Sequence, residues 1–174
     1  NLVFDFTVDD VIRMGLVWGF EASENEESEV INDLACKCGI DHLLSRSILT
    51  LSGGEKQRVH FCRCLVQILG RRNSETAKYL LLDEPTSSQD IANELRLLEL
   101  LKETAVQRDI GVFLIVHDLN LAAHFGDVFY VMKNGRLVAN GDRDAVMTQD
   151  VLSSVYDTPV KTELTSSRLR IYTF

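Results

Sequence analysis

The sequence predicts an α/β protein in which a helical part, residues 1–50, precedes a core built on a parallel sheet, residues 51–174. The main evidence is a pair of short, continuously apolar runs at residues 79–82 and 111–116, which are typical of strands buried in a parallel sheet. A long segment with apolar residues at helical spacing separates them, and this strand–helix–strand alternation favours parallel pairing. The first 50 residues show apolar positions at helical spacing, so they are predicted to be helical.

The helical part contains three predicted elements. Thr7 has the form of an N-cap, because two acidic residues and then spaced apolar residues follow it. A second helix is predicted over residues 28–37, and Gly39 ends it. A short helix follows at residues 41–45. The acidic run before the second helix, residues 21–29, is interpreted as a solvated loop leading into a helix N-terminus, in preference to a docking site.

The core begins with a long helix over residues 55–69, whose inward face is predicted to include Val59, Cys62, Val66 and Leu69. An Asn-Gly pair at residues 134–135, between two runs of strand-forming residues, predicts a hairpin. The remaining predicted elements are a polar loop at 71–76, a helix over 93–107, two short helices within 142–156 and a last strand at 168–172.

Composition excludes some classes of function. The net charge is −8, which argues against a nucleic-acid partner, because such partners normally require a basic face. No apolar run approaches the roughly 20 residues that cross a bilayer, and no signal peptide is predicted. The four cysteines form two C-x-C pairs, which could supply thiolates to zinc, although structural zinc sites usually have longer spacing. Reduced, partly buried thiols are the favoured interpretation.

The string Leu-Ser-Gly-Gly-Glu-Lys-Gln-Arg-Val at residues 51–59 predicts an anion site at the start of a helix. Gly53 and Gly54 allow close approach of the backbone to an anion, and the Ser52 hydroxyl can donate to phosphate oxygens together with the helix N-terminal amides. A Ser-Gly-Gly turn alone would be an ordinary helix cap. The full string, which includes Gln57, is far more specific.

Asp83 and Glu84 follow the apolar run at 79–82, and Pro-Thr-Ser-Ser-Gln-Asp follows them at residues 85–90. Ligands of open α/β sheets bind at the carboxyl ends of the strands. A carboxylate there can hold Mg²⁺ through its water shell, and a neighbouring carboxylate can orient or deprotonate an attacking water. An Asp-Glu pair alone would be weak evidence, but its flanking residues make it specific.

These strings resemble the signature motif and the Walker B strand of the ABC-transporter ATPases, and the resemblance covers nearly the whole chain. It implies a P-loop NTPase-type fold whose parallel core is incomplete here, with ATP and Mg²⁺ as cofactors. It assigns Asp83 to magnesium and Glu84 to the general-base role. It also implies that Ser52, Gly53 and Gly54 contact the γ-phosphate held by a second copy of the subunit.

Two further elements fit the same family. Residues 87–90, Ser-Ser-Gln-Asp, occupy the D-loop position, where relatives usually have Ser-Ala-Leu-Asp. Asp90 is kept, and the resemblance places it with Gln57 among the residues that bind nucleotide. A lone histidine at a strand end would more often be structural, but His117, in a Val-His-Asp-Leu-Asn context, resembles the switch histidine that hydrogen-bonds the γ-phosphate. The remaining histidines lack such a context and are interpreted as structural or exposed: His42, His60 and His124.

Within the family, the chain is most similar to importer ATPases for iron chelates, hemin and cobalamin, on the strings at residues 6–11, 117–123 and 134–142. A polar insertion at residues 71–78 is similar to that of hemin importers. The resemblance implies a peripheral subunit at the cytoplasmic face of the inner membrane. Its partners would be a second copy of the ATPase subunit, transmembrane permease subunits contacted through residues 1–50 and, indirectly, a periplasmic binding protein.

The chain contains no Gly-x-x-x-x-Gly-Lys-Ser/Thr loop and no Gly-Lys dipeptide. In relatives this phosphate loop precedes the matching segment and supplies most of the phosphate binding. We therefore expect an inactive fragment of a longer ATPase subunit. The alternatives are a non-catalytic interaction or regulatory module that keeps the ABC scaffold, and an ATPase for cobalamin or ferric-siderophore import. A DNA-repair or chromosome-organising ATPase is disfavoured, because heptad coiled-coil flanks are absent.

Overall fold

The computed structural model describes residues 4–16, 23–69, 77–165 and 168–173. The chain forms two compact units, Asn1–Ile115 and Val116–Phe174. The polar loop and the insertion predicted after residue 70 lie largely outside the described residues. The domain boundary predicted at residue 50 stays a prediction.

The first unit contains four α-helices and one parallel strand pair among its described residues. The helices are α1 (Val8–Arg13), α2 (Glu24–Lys37), α3 (Gly53–Leu69) and α4 (Ile91–Arg108). The strands are β1 (Lys78–Asp83) and β2 (Ile110–Ile115). Short 3-10 turns occur at Met14–Leu16, Asp41–Leu43 and Ile48–Thr50. The strand–helix–strand unit and its parallel pairing are as predicted.

Reciprocal caps begin the first two helices. The Thr7 hydroxyl accepts from the Asp10 amide at 3.1 Å, and the Asp10 carboxylate accepts from the Thr7 amide at 2.9 Å, so the predicted N-cap is confirmed. Ser23 forms the same arrangement with Glu26. The second helix therefore begins four residues earlier than predicted. Acidic residues assigned to a loop lie instead in its first turn, where the helix dipole favours them.

Helix α3 is central to the core of the first unit. Val59, Cys62 and Val66 are fully buried as predicted, whereas Leu69 is only partly buried. Helices α1 and α2 both pack on α3. At Gly15 a Cβ atom would lie 2.5 Å from the backbone oxygen of Arg63, so only glycine permits this close approach.

Among the described residues, the β1–β2 sheet is covered on one face only, so the prediction that these strands are buried is correct for that face alone. Side chains alternate between faces along a strand. The face that we call inner packs against the helical core, and its members are Leu80, Leu82, Val112 and Leu114. The face that we call outer is exposed, and its members are Tyr79, Leu81, Phe113 and Ile115. The two apolar runs form strands, as predicted, but hydrophobicity alone does not indicate which face of the sheet another layer covers.

The second unit contains three helices and two antiparallel strand pairs among its described residues. The helices are α5 (Leu119–Phe125), α6 (Arg143–Val146) and α7 (Gln149–Tyr156). The pairs are β3 (Phe129–Lys133) with β4 (Arg136–Gly141), and β5 (Val160–Thr165) with β6 (Arg168–Thr173). The predicted hairpin is confirmed, and Asn134 and Gly135 at its turn have φ of 51° and 72°. The sequence did not predict α5 or β5.

The four cysteines are free thiols of different exposure: Cys38 and Cys62 are buried, Cys64 is half-buried and Cys36 is exposed. Within the described ranges, no group of three or more His, Cys, Asp or Glu side chains could hold a metal ion. In the same ranges, no helix is both long and apolar enough to cross a membrane.

Candidate functional site

The N-terminus of α3 is closed by a reciprocal cap between Ser52 and Glu55. The Ser52 hydroxyl donates to the Glu55 carboxylate at 2.7 Å, the Ser52 amide donates to it at 2.8 Å, and the Glu55 amide donates to the Ser52 hydroxyl oxygen at 3.3 Å. These hydrogen bonds lower the pKa of the Glu55 carboxyl below its ordinary value. Ser52 and Gly53 are exposed, and nothing lies within 4 Å of where a Gly53 Cβ would be. An anion can therefore reach this helix end.

Gly54 faces the loop that follows β1, which we call the post-β1 loop (residues 84–90). A Cβ atom on Gly54 would lie 2.7 Å from the backbone oxygen of Ser88. Such a distance is shorter than a real Cβ contact, so glycine at this position lets the loop approach the first turn of α3.

The post-β1 loop starts with an unusual backbone conformation at Glu84. Asp83 ends β1 and is exposed, and the Glu84 amide donates to the Ile115 backbone oxygen at 3.1 Å, which extends the strand pairing by one residue. The Glu84 φ is 45°, in the left-handed region that non-glycine residues adopt at a cost of about 1–3 kcal/mol. Farther along, the buried Thr86 hydroxyl donates to the Glu94 carboxylate at 2.8 Å and anchors the loop to α4.

Gln57 brings the two motifs together. Its side-chain nitrogen donates to the Glu84 backbone oxygen at 2.8 Å and to the Ser87 hydroxyl at 3.2 Å. Its side-chain oxygen accepts from the Ser88 amide at 3.1 Å and from the Gln89 side chain at 3.0 Å. Both ends of the amide are thus used, and α3 is linked to the backbone that immediately follows the predicted magnesium ligand.

Asp90 caps α4. Its carboxylate accepts from the Asn93 amide at 2.9 Å and from the Asn93 side chain at 2.8 Å. These bonds lower the pKa of the Asp90 carboxyl. The role of Asp90 in nucleotide binding stays a prediction.

His117 belongs to the second unit, between β2 and α5, and is exposed. The next residue, Asp118, caps α5 by accepting from the amides of Asn120 and Leu121 at 2.7 and 3.0 Å. The switch role of His117 stays a prediction. The three other histidines are exposed as well.

The residues of the first unit fit nucleotide chemistry. An exposed helix N-terminus offers amides and a serine hydroxyl to phosphate oxygens, and carboxylates at a strand end are ligands that Mg²⁺ prefers. Sequence reasoning missed two contributors. Gln89 and Arg58 are hydrogen-bonded to each other beside Gln57, at 2.8 Å. The departure from the usual D-loop sequence at residue 89 was the available signal.

Comparisons with known proteins agree with this geometry. The ABC transporter family matches residues 7–87. The hemin import ATP-binding protein HmuV of Rhodopseudomonas palustris is 39% identical over 88% of the chain, and that of Escherichia coli O157:H7 is 38% identical over 90%. The chain spans 56% and 59% of the length of these two relatives.

Solved structures define the class of fold. A metal-chelate type ABC transporter in an inward-facing conformation superposes with a TM-score of 0.78 at 22% identity, covering 100% of this chain and 69% of that one. The dimeric bacterial ABC transporter cassette MJ0796 gives a TM-score of 0.68 at 22% identity, covering 82% of this chain and 59% of that one. The fold is therefore that of an ABC ATPase cassette. Residues 7–87 therefore form an ABC transporter domain, and the chain is similar in sequence to hemin import ATP-binding proteins over most of its length.

Proposed function

We propose that this chain is part of the ATP-binding and ATP-hydrolysing subunit of an ABC importer that energises uptake of hemin or a related iron chelate. The observation that carries the proposal is the hydrogen-bonded junction at Gln57, which joins the Ser-Gly-Gly helix end to the loop after the Asp83–Glu84 strand end. The names of the similar proteins, which are hemin import ATP-binding proteins, support the cargo.

Each site residue has a role in this proposal. Asp83 holds Mg²⁺ and Glu84 accepts the proton of the attacking water. Ser52 and the amides after it donate to oxygens of the γ-phosphate, over which negative charge is spread in the transition state. His117 donates to a γ-phosphate oxygen. The exposure of the α3 N-terminus supports the Ser52 role, because a phosphate brought by another subunit must reach it from solvent.

The partners follow from the same proposal. Since Ser52 serves nucleotide held by another copy, the working unit is a dimer with two composite sites. We place it at the cytoplasmic face of the inner membrane, beneath permease subunits contacted through residues 1–50, with the catalytic core in residues 51–174. A periplasmic binding protein acts indirectly.

A calorimetric titration with Mg-ATP tests nucleotide binding by the 174-residue chain. No binding is expected, because the sequence contains no phosphate loop. The same titration on the full-length gene product is expected to show saturable binding, and hydrolysis that hemin stimulates when permease and binding protein are present. Absence of binding by the full-length product would favour the non-catalytic module. Stimulation by cobalamin or a ferric siderophore instead of hemin would overturn only the assignment of the transported cargo.

Glu84→Gln in the full-length gene product is expected to lower kcat at least about 100-fold and to leave ATP affinity unchanged, because an amide cannot accept the water proton. Steady-state ATPase assays and calorimetry measure the two quantities. Glu103→Gln is the matched control, since Glu103 is an exposed glutamate of α4 and should behave as wild type. Normal hydrolysis by Glu84→Gln would remove the general-base assignment.

A further inference from the structure

We propose that Gln89 is a positioning residue that fixes the post-β1 loop to the first two turns of α3 and, through Gln57, orients the backbone at Glu84. The hydrogen bonds of Gln89 do not depend on the function assigned above. The expected effect on ATP hydrolysis rests on the proposed function.

Three hydrogen bonds join the Gln89 side chain to α3. Its nitrogen donates to the Gly54 backbone oxygen at 2.9 Å and to the Gln57 side-chain oxygen at 3.0 Å. Its oxygen accepts from an Arg58 terminal nitrogen (Nη1) at 2.8 Å. One side chain of the loop thus contacts three α3 residues within a five-residue stretch.

These contacts require an amide. A leucine, which the resemblance expects near this position, could fill the volume but could neither donate to Gly54 nor accept from Arg58. A glutamate could accept from Arg58, but its oxygens would oppose the Gly54 and Gln57 oxygens, because a carboxylate is an acceptor only. The Arg58 Nε atom is buried and has no hydrogen-bond partner among the described residues. Loss of the Gln89 oxygen would therefore remove a hydrogen-bond acceptor from a guanidinium that already has a buried donor without a partner among the described residues.

Gln89 acts on Glu84 by fixing the orientation of another amide. The Gln57 oxygen accepts from Gln89 and from the Ser88 amide, so the Gln57 nitrogen points at the Glu84 carbonyl, to which it donates at 2.8 Å. Without Gln89, only the Ser88 amide donates to the Gln57 oxygen, so the Gln57 amide is held by one donor in place of two and can turn further about its terminal bond. The Ser88 amide would then lose a firmly placed acceptor, and the Glu84 carbonyl would depend on its remaining donors, the amide and hydroxyl of Ser87. The change falls at Glu84, whose left-handed backbone needs support.

The test uses the full-length gene product and compares Gln89→Leu with wild type by hydrogen exchange. Exchange of the Ser88 amide, which donates to Gln57, is expected to accelerate about tenfold, which is what loss of one ordinary hydrogen bond corresponds to. Exchange in α2 and in the β3–β4 hairpin should not change. Gln107→Leu is the matched control, because Gln107 is exposed near the end of α4. Unchanged protection at Ser88 in Gln89→Leu would overturn the proposal.

The Gln89→Glu variant distinguishes the effect of the hydrogen bond to Gln57 from the effect of the hydrogen bond with Arg58. Since the carboxylate cannot donate to Gln57, this variant should exchange at Ser88 as fast as Gln89→Leu. Protection equal to wild type in Gln89→Glu would show that Arg58 alone positions the loop, and would overturn the route through Gln57.

ATPase kinetics supply the last readout. Gln89→Leu is expected to lower kcat about tenfold with KM for ATP within about twofold, because the loop carries the proposed base and not the main phosphate contacts. Equal changes in kcat and KM would mean a general structural defect and would count against a positioning role. A wild-type protein that binds and hydrolyses no ATP would refute the proposed function, while the exchange data would still decide whether Gln89 holds the loop.

Discussion

The two faces of the β1–β2 sheet both consist of large hydrophobic side chains but have opposite environments. Leu82 on the inner face is 8% exposed, whereas Leu81 on the outer face is 74% exposed. Phe113 on the outer face is 54% exposed, and its ring lies beside that of Tyr79, another outer-face residue, with 6.4 Å between the ring centroids. Hydrophobicity thus determines that these segments are strands, but the layers packed against them determine which apolar side chains contribute to stability.

A pair of leucine substitutions gives the largest expected difference between the two faces. Leu82→Ala should lower the free energy of unfolding by about 2–4 kcal/mol, because it leaves a cavity in the core. Leu81→Ala should cost less than about 1 kcal/mol, because its side chain is already in water. Urea denaturation of the two variants measures both. Similar losses in the two variants would mean that the outer face is covered in solution.

Two glycine substitutions give an intermediate difference, between the contact of α3 with the post-β1 loop and the outer face of the sheet. Gly54→Ala should destabilise the protein by about 1–3 kcal/mol, because the new Cβ would meet the Ser88 backbone oxygen at 2.7 Å and the post-β1 loop must move. Gly111→Ala brings a Cβ 2.6 Å from the Tyr79 ring, yet this ring is exposed and can rotate. Its cost should be below about 1 kcal/mol. A larger loss for Gly111→Ala, in thermal unfolding, would show that the outer-face ring is held rigidly.

The smallest expected effect is the pH dependence of the Ser52–Glu55 cap at the N-terminus of α3, which involves no side chain of either sheet face. Ser52 lowers the pKa of the Glu55 carboxyl below its ordinary value of 4.5. The stability gained from this cap is therefore fully present above pH 4.5 and is lost as pH falls through the lowered pKa. Carboxyl NMR titration should show the Glu55 pKa returning towards 4.5 in Ser52→Ala. An unchanged Glu55 pKa in that variant would contradict the cap.

Local chemistry explains which parts of the fold could be predicted from sequence. The Thr7 cap and the Asn-Gly turn were predicted correctly, because a few adjacent residues determine each of them. Helix α5 and strand β5 were missed because a distant contact helps to define their surroundings. The Asn120 side chain accepts from the Ile171 amide and donates to its carbonyl, at 2.9 and 3.1 Å, across 51 positions of sequence.

The residues of the candidate site also divide into those that the sequence predicts and those that depend on distant contacts. The family strings indicated Ser52, Asp83 and Glu84 directly. The junction through Gln57 and Gln89 could not be predicted, because residues 27 to 35 positions apart form it and only the departure from the usual D-loop sequence at residue 89 marks it. Only the folded chain reveals that the first turn of a helix and a strand-end loop share one hydrogen-bond network.

The buried thiols described above make the native protein selective towards alkylating reagents. A maleimide dye should modify the exposed Cys36 first, whereas the Cys38 and Cys62 thiols are out of reach in the core. The hydrogen bond from Cys38, together with burial, raises the pKa of the Cys62 thiol, so this group contributes almost no reactive thiolate. Labelling of Cys62 therefore requires α2 to separate from α3. Because Cys64 is half-buried, the rate at which Cys62 itself is labelled, and not the number of labels per chain, reports opening of the helical core.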